Sequence, residues 1–181
     1  MIKESKRAFL LGAANIIVRR DGAESLTLDA LAHETGLSKG GVLYHFPTKE
    51  ALLKAMLENW MEGFESSINT ALENTHSGGG AWLRAFIKTS ADEESTLQSN
   101  ALSLLAAIAN NYELLAMVRE RAEIWQKQVA SDFDPALATL LRLAADGLFW
   151  TELLNMAPPT GSLRVQVIDL MLKLAGEQNA P

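Results

Sequence analysis

The stretch LTLDALAHETGLSKGGVLYHFPTKE, residues 26–50, constrains the fold more than any other part of the chain. Its spacing predicts two short helices meeting at a tight turn. Leu28 opens the first helix, with Thr27 ahead of it to accept a first-turn amide and Leu31 and Ala32 facing inward. Gly36 stands where the chain must leave that helix through a left-handed turn, a conformation that β-branched residues resist. Ser38 can cap the second helix, and Val42 points back at the first. Pro47 ends the second helix, and Thr48 caps a third element with Lys49 and Glu50 in its first turn. Two short helices about a glycine turn make a helix-turn-helix. That arrangement holds the second helix proud of the surface, where it can enter the major groove of DNA.

The runs Thr27-Leu28-Asp29-Ala30-Leu31-Ala32, Gly36-Leu37-Ser38-Lys39-Gly40 and Val42-Leu43-Tyr44-His45-Phe46-Pro47-Thr48-Lys49-Glu50-Ala51-Leu52 together resemble the amino-terminal domain of the tetracycline-repressor (TetR) family. This signature covers roughly the first third of the chain. The remainder resembles the family only in length and helical character. The resemblance implies an all-α fold, with a three-helix DNA-binding domain over residues 1–50 and a helical ligand-binding and dimerisation domain over 51–181. It also places Thr27, Ser38, Tyr44, His45 and Lys49 where the family contacts phosphates.

On the second helix of the motif, Lys39, Gly40, Gly41, Leu43, Tyr44 and His45 are the exposed candidates. Lys39 can reach guanine acceptors, and Leu43 or Tyr44 a thymine methyl. Two adjacent glycines in so short a helix cost about 1 kcal/mol each relative to alanine. A close approach of backbone to DNA would offset that cost; a frayed helix that orders on binding is the compatible alternative. Family members have one small residue here, so the doubled glycine is a departure. His45 either touches DNA or packs beside Phe46. Lys49 begins a helix whose free amides suit a phosphate.

A net charge of −6 argues against nucleic acid until it is divided along the chain. Residues 1–54 carry eight Lys/Arg and six Asp/Glu, a net +2; the remaining residues carry eight and sixteen, a net −8. The distribution therefore favours contact through the amino-terminal third, by a patch small enough to need a second copy. Residues 3–20 read as an amphipathic helix with Lys3, Lys6 and Arg7 at its start. A positive charge opposes the helix dipole there, so these residues suit a phosphate backbone or are simply solvated.

Beyond the motif, a long fourth helix runs from Lys49 to about Leu72, and helices are expected near 81–90, 93–109, 112–130, 135–155 and 162–176. Asp92, Pro135 after Asp134, and Ser162 mark three of the starts. The last two helices are apolar beyond one face, which predicts a homodimer joined through them, with Gly147 allowing close approach; the alternative is core helices buried wholly within one subunit. Aromatic residues recur at helical spacing. Trp60, Phe64, Trp82, Phe86, Trp125 and Phe149, with Asn100 among the polar interruptions, are candidates to line a cavity for a small apolar effector, although any single ring is by default core. Glu123 and Asp146 can orient a ligand, and Asp146 can equally serve structure at the dimer contact.

No cysteine is present, which excludes disulfides and thiolate metal sites. His33 and His76 lie at no metal-ligand spacing, so neither metal nor cofactor is expected. There is no nucleophile elbow or phosphate-binding glycine loop, which argues against an enzyme. Without an 18-residue apolar run or a signal-peptide core, a soluble cytoplasmic protein is the plain reading. The expected function is that of a dimeric regulator, a repressor that leaves a palindromic double-stranded DNA operator when a small molecule binds. The rival is a DNA-associated adaptor whose large domain docks a protein partner.

Overall fold

The computed structural model describes residues 6–73, 78–92, 101, 104–131 and 133–176, and among these no residue is in a strand. The helices are α1 (Lys6–Asp21), α2 (Leu28–Thr35), α3 (Lys39–His45), α4 (Lys49–Glu73), α5 (Ala81–Ser90), α6 (Tyr112–Val129), α7 (Pro135–Leu153) and α8 (Gly161–Leu174), with a 3₁₀ turn at Ala23–Ser25. Ala101 and residues 104–108 are also helical. Most of the helix expected at 93–109 lies outside the described residues, including the first turn that Asp92 is expected to cap.

The chain forms two compact units. The first is Met1–Glu62 with Ser99–Leu115, and the second is Gly63–Gln98 with Ala116–Pro181. In the first unit α1 packs on α2, and α2 on α3. The buried side chains Leu10, Leu11, Ala14, Ile17 and Val18 repeat at helical spacing on α1, and Leu26, Leu31, Val42, Phe46, Leu52 and Met56 are buried with them. Each buried leucine contributes about 1.5–3 kcal/mol of transfer free energy.

In the second unit α5 packs against both α7 and α8. Its core holds Phe64 and Ile68 from α4, Leu83, Phe86 and Ile87 from α5, Leu141 and Leu148 from α7, and Met171 near the end of α8. Gly80, at φ 73°, sets the start of α5. A Cβ there would lie 2.6 Å from the Ala175 carbonyl oxygen and 3.0 Å from the Phe133 ring, so the close approach admits only glycine. Arg84 ties the same corner by donating from Nη1 to the carbonyls of Gly79 at 2.8 Å and Ala175 at 3.0 Å.

Pro135 stands at the start of α7, where Asp134 accepts from the Leu137 amide at 2.8 Å. One expected cap is corrected. Ser162 lies inside α8, whose cap position is Thr160 with no side-chain bond to a free amide. Gly161, at φ 55°, turns the chain one residue before the serine.

Candidate nucleic-acid interface and ligand cleft

The helix-turn-helix is held by the capping interactions its residue types imply. Thr27 Oγ1 accepts from the Ala30 amide at 3.0 Å, and Ser38 Oγ from the Gly41 amide at 3.2 Å. Gly36 takes the left-handed conformation at φ 69°. Thr48 Oγ1 accepts from the Ala51 amide at 3.1 Å and so opens α4 beside Lys49. The Thr27 and Ser38 hydroxyls each use a lone pair in the cap and keep a proton to donate, so both can stabilise the fold and bind a phosphate at once.

Val42 is fully buried and Phe46 nearly so, which pins one side of α3. The other side is free. Lys39, Gly40 and Leu43 are exposed, and Tyr44 is 84% exposed with its ring edge-on to His45 at 5.1 Å between centroids. His45, half-buried, also lies 6.5 Å from the Phe46 ring. An aromatic ring that solvated contributes almost nothing to the core of this unit. Lys39 Nζ pairs with Asp29 at 2.9 Å, but both side chains are mostly exposed, so the pair is worth at most about 1 kcal/mol and can open toward a base.

Sterics do not require the two glycines. A Cβ at Gly40 would meet nothing within 4 Å, and one at Gly41 would meet Ser38 Oγ at an ordinary 3.4 Å. The helix would accept alanine at either, so the propensity cost is not explained by packing within the fold.

Arg7, a candidate for the phosphate backbone, is occupied within the unit. Its guanidinium lies 5.8 Å over the Phe46 ring, with Glu58 at 3.8 Å. Lys3 lies outside the described residues. Arg20 joins Asp21 and Glu34 through charged hydrogen bonds, which raise the arginine pKa and lower that of Asp21. Glu50 is held below the usual carboxylate range by its own amide and the Thr48 hydroxyl. It places a negative charge at the start of α4, beside Lys49.

The second unit holds a different kind of site. Phe64, Trp82, Phe86 and Trp125 pack on one another, with Phe64 and Phe86 edge-on at 5.6 Å, Phe64 and Trp125 at 4.9 Å, and Trp82 stacked on Phe86 at 5.6 Å. Alongside them is a cleft of about 280 Å³ between three helices. Glu65, Ile68 and Asn69 of α4, Trp82 of α5, and Arg121, Ile124 and Gln128 of α6 line it. Glu65 Oε1 accepts from Arg121 Nη1 at 2.7 Å and from Trp125 Nε1 at 3.0 Å.

Two family models match this chain: the tetR family of bacterial regulatory proteins over residues 10–56, and the tetracyclin repressor-like C-terminal domain over residues 80–176. The second alone covers more than half of the sequence. The chain belongs to the TetR family. A curated relative, the uncharacterised HTH-type transcriptional regulator YfiR of Bacillus subtilis (strain 168), is 30% identical over 60 residues, which are 33% of this chain and only 29% of that protein.

Solved structures share the fold across nearly the whole chain. A transcriptional regulator from Rhodococcus sp. Rha1 aligns with TM-score 0.74 at 17% identity, covering 94% of this chain and 96% of that one. The multidrug binding protein EbrR, complexed with imidazole, aligns with TM-score 0.63 at 21% identity, covering 95% and 96%. At these identities the likeness is one of fold. As a TetR-family member the protein is a DNA-binding transcriptional regulator and not an enzyme. Among the described residues no group of three or more His, Asp or Glu could hold a metal, and no helix is long and apolar enough to cross a membrane.

Within this TetR-family chain, the rings expected to line a cavity stand in different surroundings among the described residues. Phe64 and Phe86 are buried in the core, and Trp125 packs against it. Of the expected residues Trp82 lines the cleft. Phe149 is buried edge-on to Trp150 at 5.2 Å, Trp60 belongs to the first unit, and Asn100 and His76 lie outside the described residues. Glu123 is exposed, whereas Asp146 pairs with Arg142, which also donates to Gln126. Burial raises the Asp146 pKa despite Arg142. Glu65, Asn69, Arg121 and Gln128 escaped notice in the sequence; their signal was polar residues four or seven apart on otherwise packed helices.

Proposed function

We propose that the protein is a homodimeric repressor, acting in the cytoplasm, that leaves a palindromic operator when a small molecule binds its second unit. The observation that carries the DNA half is the free side of α3. Tyr44, Lys39, Leu43 and Gly40 face solvent, with Gly41 half-buried beside them, on a helix pinned from behind by Val42. Lys49, Thr27, Ser38 and His45 are assigned to phosphates, and residues 1–50 to the DNA-binding domain with 51–181 as the regulatory domain.

Dimerisation is supported by an apolar stripe. Ala136, Leu140, Leu143, Ala144, Gly147, Trp150 and Leu154 are all exposed along α7 and its end, with Leu140 at 61%. Leu163 and Leu170, both exposed, repeat the pattern on α8. Monomeric proteins rarely leave so continuous an apolar surface in water. A two-fold dimer would present two α3 helices to half-sites one or more DNA turns, about 34 Å each, apart.

The ligand half needs two states with different affinity for the effector. Helix α4 carries residues of both units, Lys49 of the first and the cleft residues Ile68 and Asn69 of the second. EbrR, with its bound imidazole, is a relative in fold that takes small molecules.

Retardation of DNA from just upstream of the protein's own coding region, in a salt series, tests the proposal. Specific binding with a steep negative salt slope, weakened by Lys49→Ala, is expected. Binding that is equal for unrelated DNA would remove the operator reading.

A further inference from the structure

We infer that the cleft between α4, α5 and α6 takes a small, flat, uncharged molecule carrying both a hydrogen-bond donor and an acceptor, such as a primary amide or a neutral heteroaromatic. The inference rests on the ligand half of the proposed function and narrows it. Four observations carry it, beginning with size. At about 280 Å³ the cleft lies at the lower end of the range for ligand sites, so the occupant is small.

Charge comes next. The two charged groups of the lining are Glu65 and Arg121, and they satisfy each other at 2.7 Å, with Trp125 Nε1 a second donor to the same oxygen. A cationic ligand would have to compete with Arg121 for Glu65, and an anionic one with Glu65 for Arg121. Either would leave one charge of the pair without its partner. A neutral ligand leaves the pair intact.

Polarity is the third. The carboxamides of Asn69 and Gln128 line the cleft, and neither makes a side-chain hydrogen bond within the described structure. Each offers a donor pair and an acceptor, the complement of an amide or an amide-like ring edge. Shape is the fourth. Trp82, a flat ring stacked on Phe86, lines the cleft, while Ile68 and Ile124 supply apolar surface. A purely apolar occupant would bury these carboxamides without partners, so the rings of the neighbouring core do not define the ligand.

Calorimetric titration of the full-length protein with four probes of nearly one shape tests this: benzamide, benzoate, benzamidine and toluene. Benzamide is expected to bind at about millimolar affinity, as its few atoms allow, and about tenfold tighter than the other three. Asn69→Ala and Gln128→Ala, both at exposed positions that the fold does not use, should each weaken it about three- to tenfold. Trp82→Ala should weaken it further, and Lys88→Ala, in a separate groove, should not change it.

Preference for benzoate, benzamidine or toluene would overturn the inference, as would benzamide binding that is indifferent to Asn69 and Gln128. Absence of binding by all four probes would overturn it too. Operator retardation is measured on the same preparations. Retained specific DNA binding alongside failed probes removes the cleft assignment and leaves the regulator reading standing. Lost DNA binding removes the broader reading instead.

Discussion

The two units build their sites in opposite ways. In the first, every proposed DNA-contacting residue lies within 23 positions of chain, from Thr27 to Lys49, and its orientation follows from caps and a turn made by near neighbours. In the second, Glu65 meets Arg121 and Trp125, which are 56 and 60 residues away in sequence, across helices brought together by the core. A site made of local interactions can be altered residue by residue while its scaffold persists. A site made of distant ones depends on the packing that assembles it.

The largest expected effect breaks the local site through its support. Val42→Asp places a carboxylate at a fully buried position with no partner, at a cost of about 4 kcal/mol or more. Operator retardation should vanish, and circular dichroism should report partial loss of helix. Full helicity with operator binding intact would mean α3 is not held by that contact.

Gly80→Ala probes the other unit at a close backbone approach. The added methyl meets the Ala175 carbonyl and needs a strained left-handed conformation, at about 1–3 kcal/mol for the strain alone. Thermal melting should fall by several degrees while retardation, measured well below the transition, changes little. An unchanged melting temperature would show that the corner near Ala175 moves freely.

Tyr44→Ala separates function from fold. With the ring 84% exposed, stability should hold within about 0.5 kcal/mol, whereas operator affinity should fall about tenfold in a gel-shift titration. Gly40→Ala sharpens the same contrast, because it should stabilise α3 by about 0.5–1 kcal/mol and still weaken operator binding. Gains in both stability and affinity would exclude close backbone approach at that position.

The smallest effects concern one carboxylate in each unit, shifted in opposite directions. Glu50 has its pKa lowered from 4.5 by the amide and hydroxyl that bind it. It therefore adds stability above that value, and the contribution is lost as pH falls through the folded pKa. Asp146 is raised from 3.8 by burial, so in the folded state its ionisation is disfavoured, and stability declines as pH rises from 3.8 through the folded pKa. Denaturant midpoints against pH should therefore lose their acid-side fall in part with Glu50→Gln, and a decline of the opposite sign with Asp146→Asn. Identical profiles for both variants would refute the opposed shifts.

Helix starts and stops were legible where their cause was short in sequence. Thr27, Gly36, Ser38 and Thr48 do what their types and neighbours require, since a cap joins groups two or three residues apart, and Pro135 opens its helix. Ser162 misled because Gly161 already turns the chain and shifts the cap position to Thr160, a detail of backbone angle rather than residue type. The division of charge and the apolar excess of the last two helices were likewise readable, being sums and periodicities.

What the tertiary structure alone decided was which side chains meet. Spacing identified Phe64, Phe86 and Trp125 as inward-facing, but a ring that lines a cavity and a ring that fills a core share one helical period. Only the placement of α4, α5 and α6 beside one another set those rings against one another and gathered Glu65, Asn69, Arg121 and Gln128 into a cleft. Local hydrogen bonds are encoded within a few residues of chain. Convergence of polar groups from distant helices is encoded by the whole core, and so it emerges only when the core has formed.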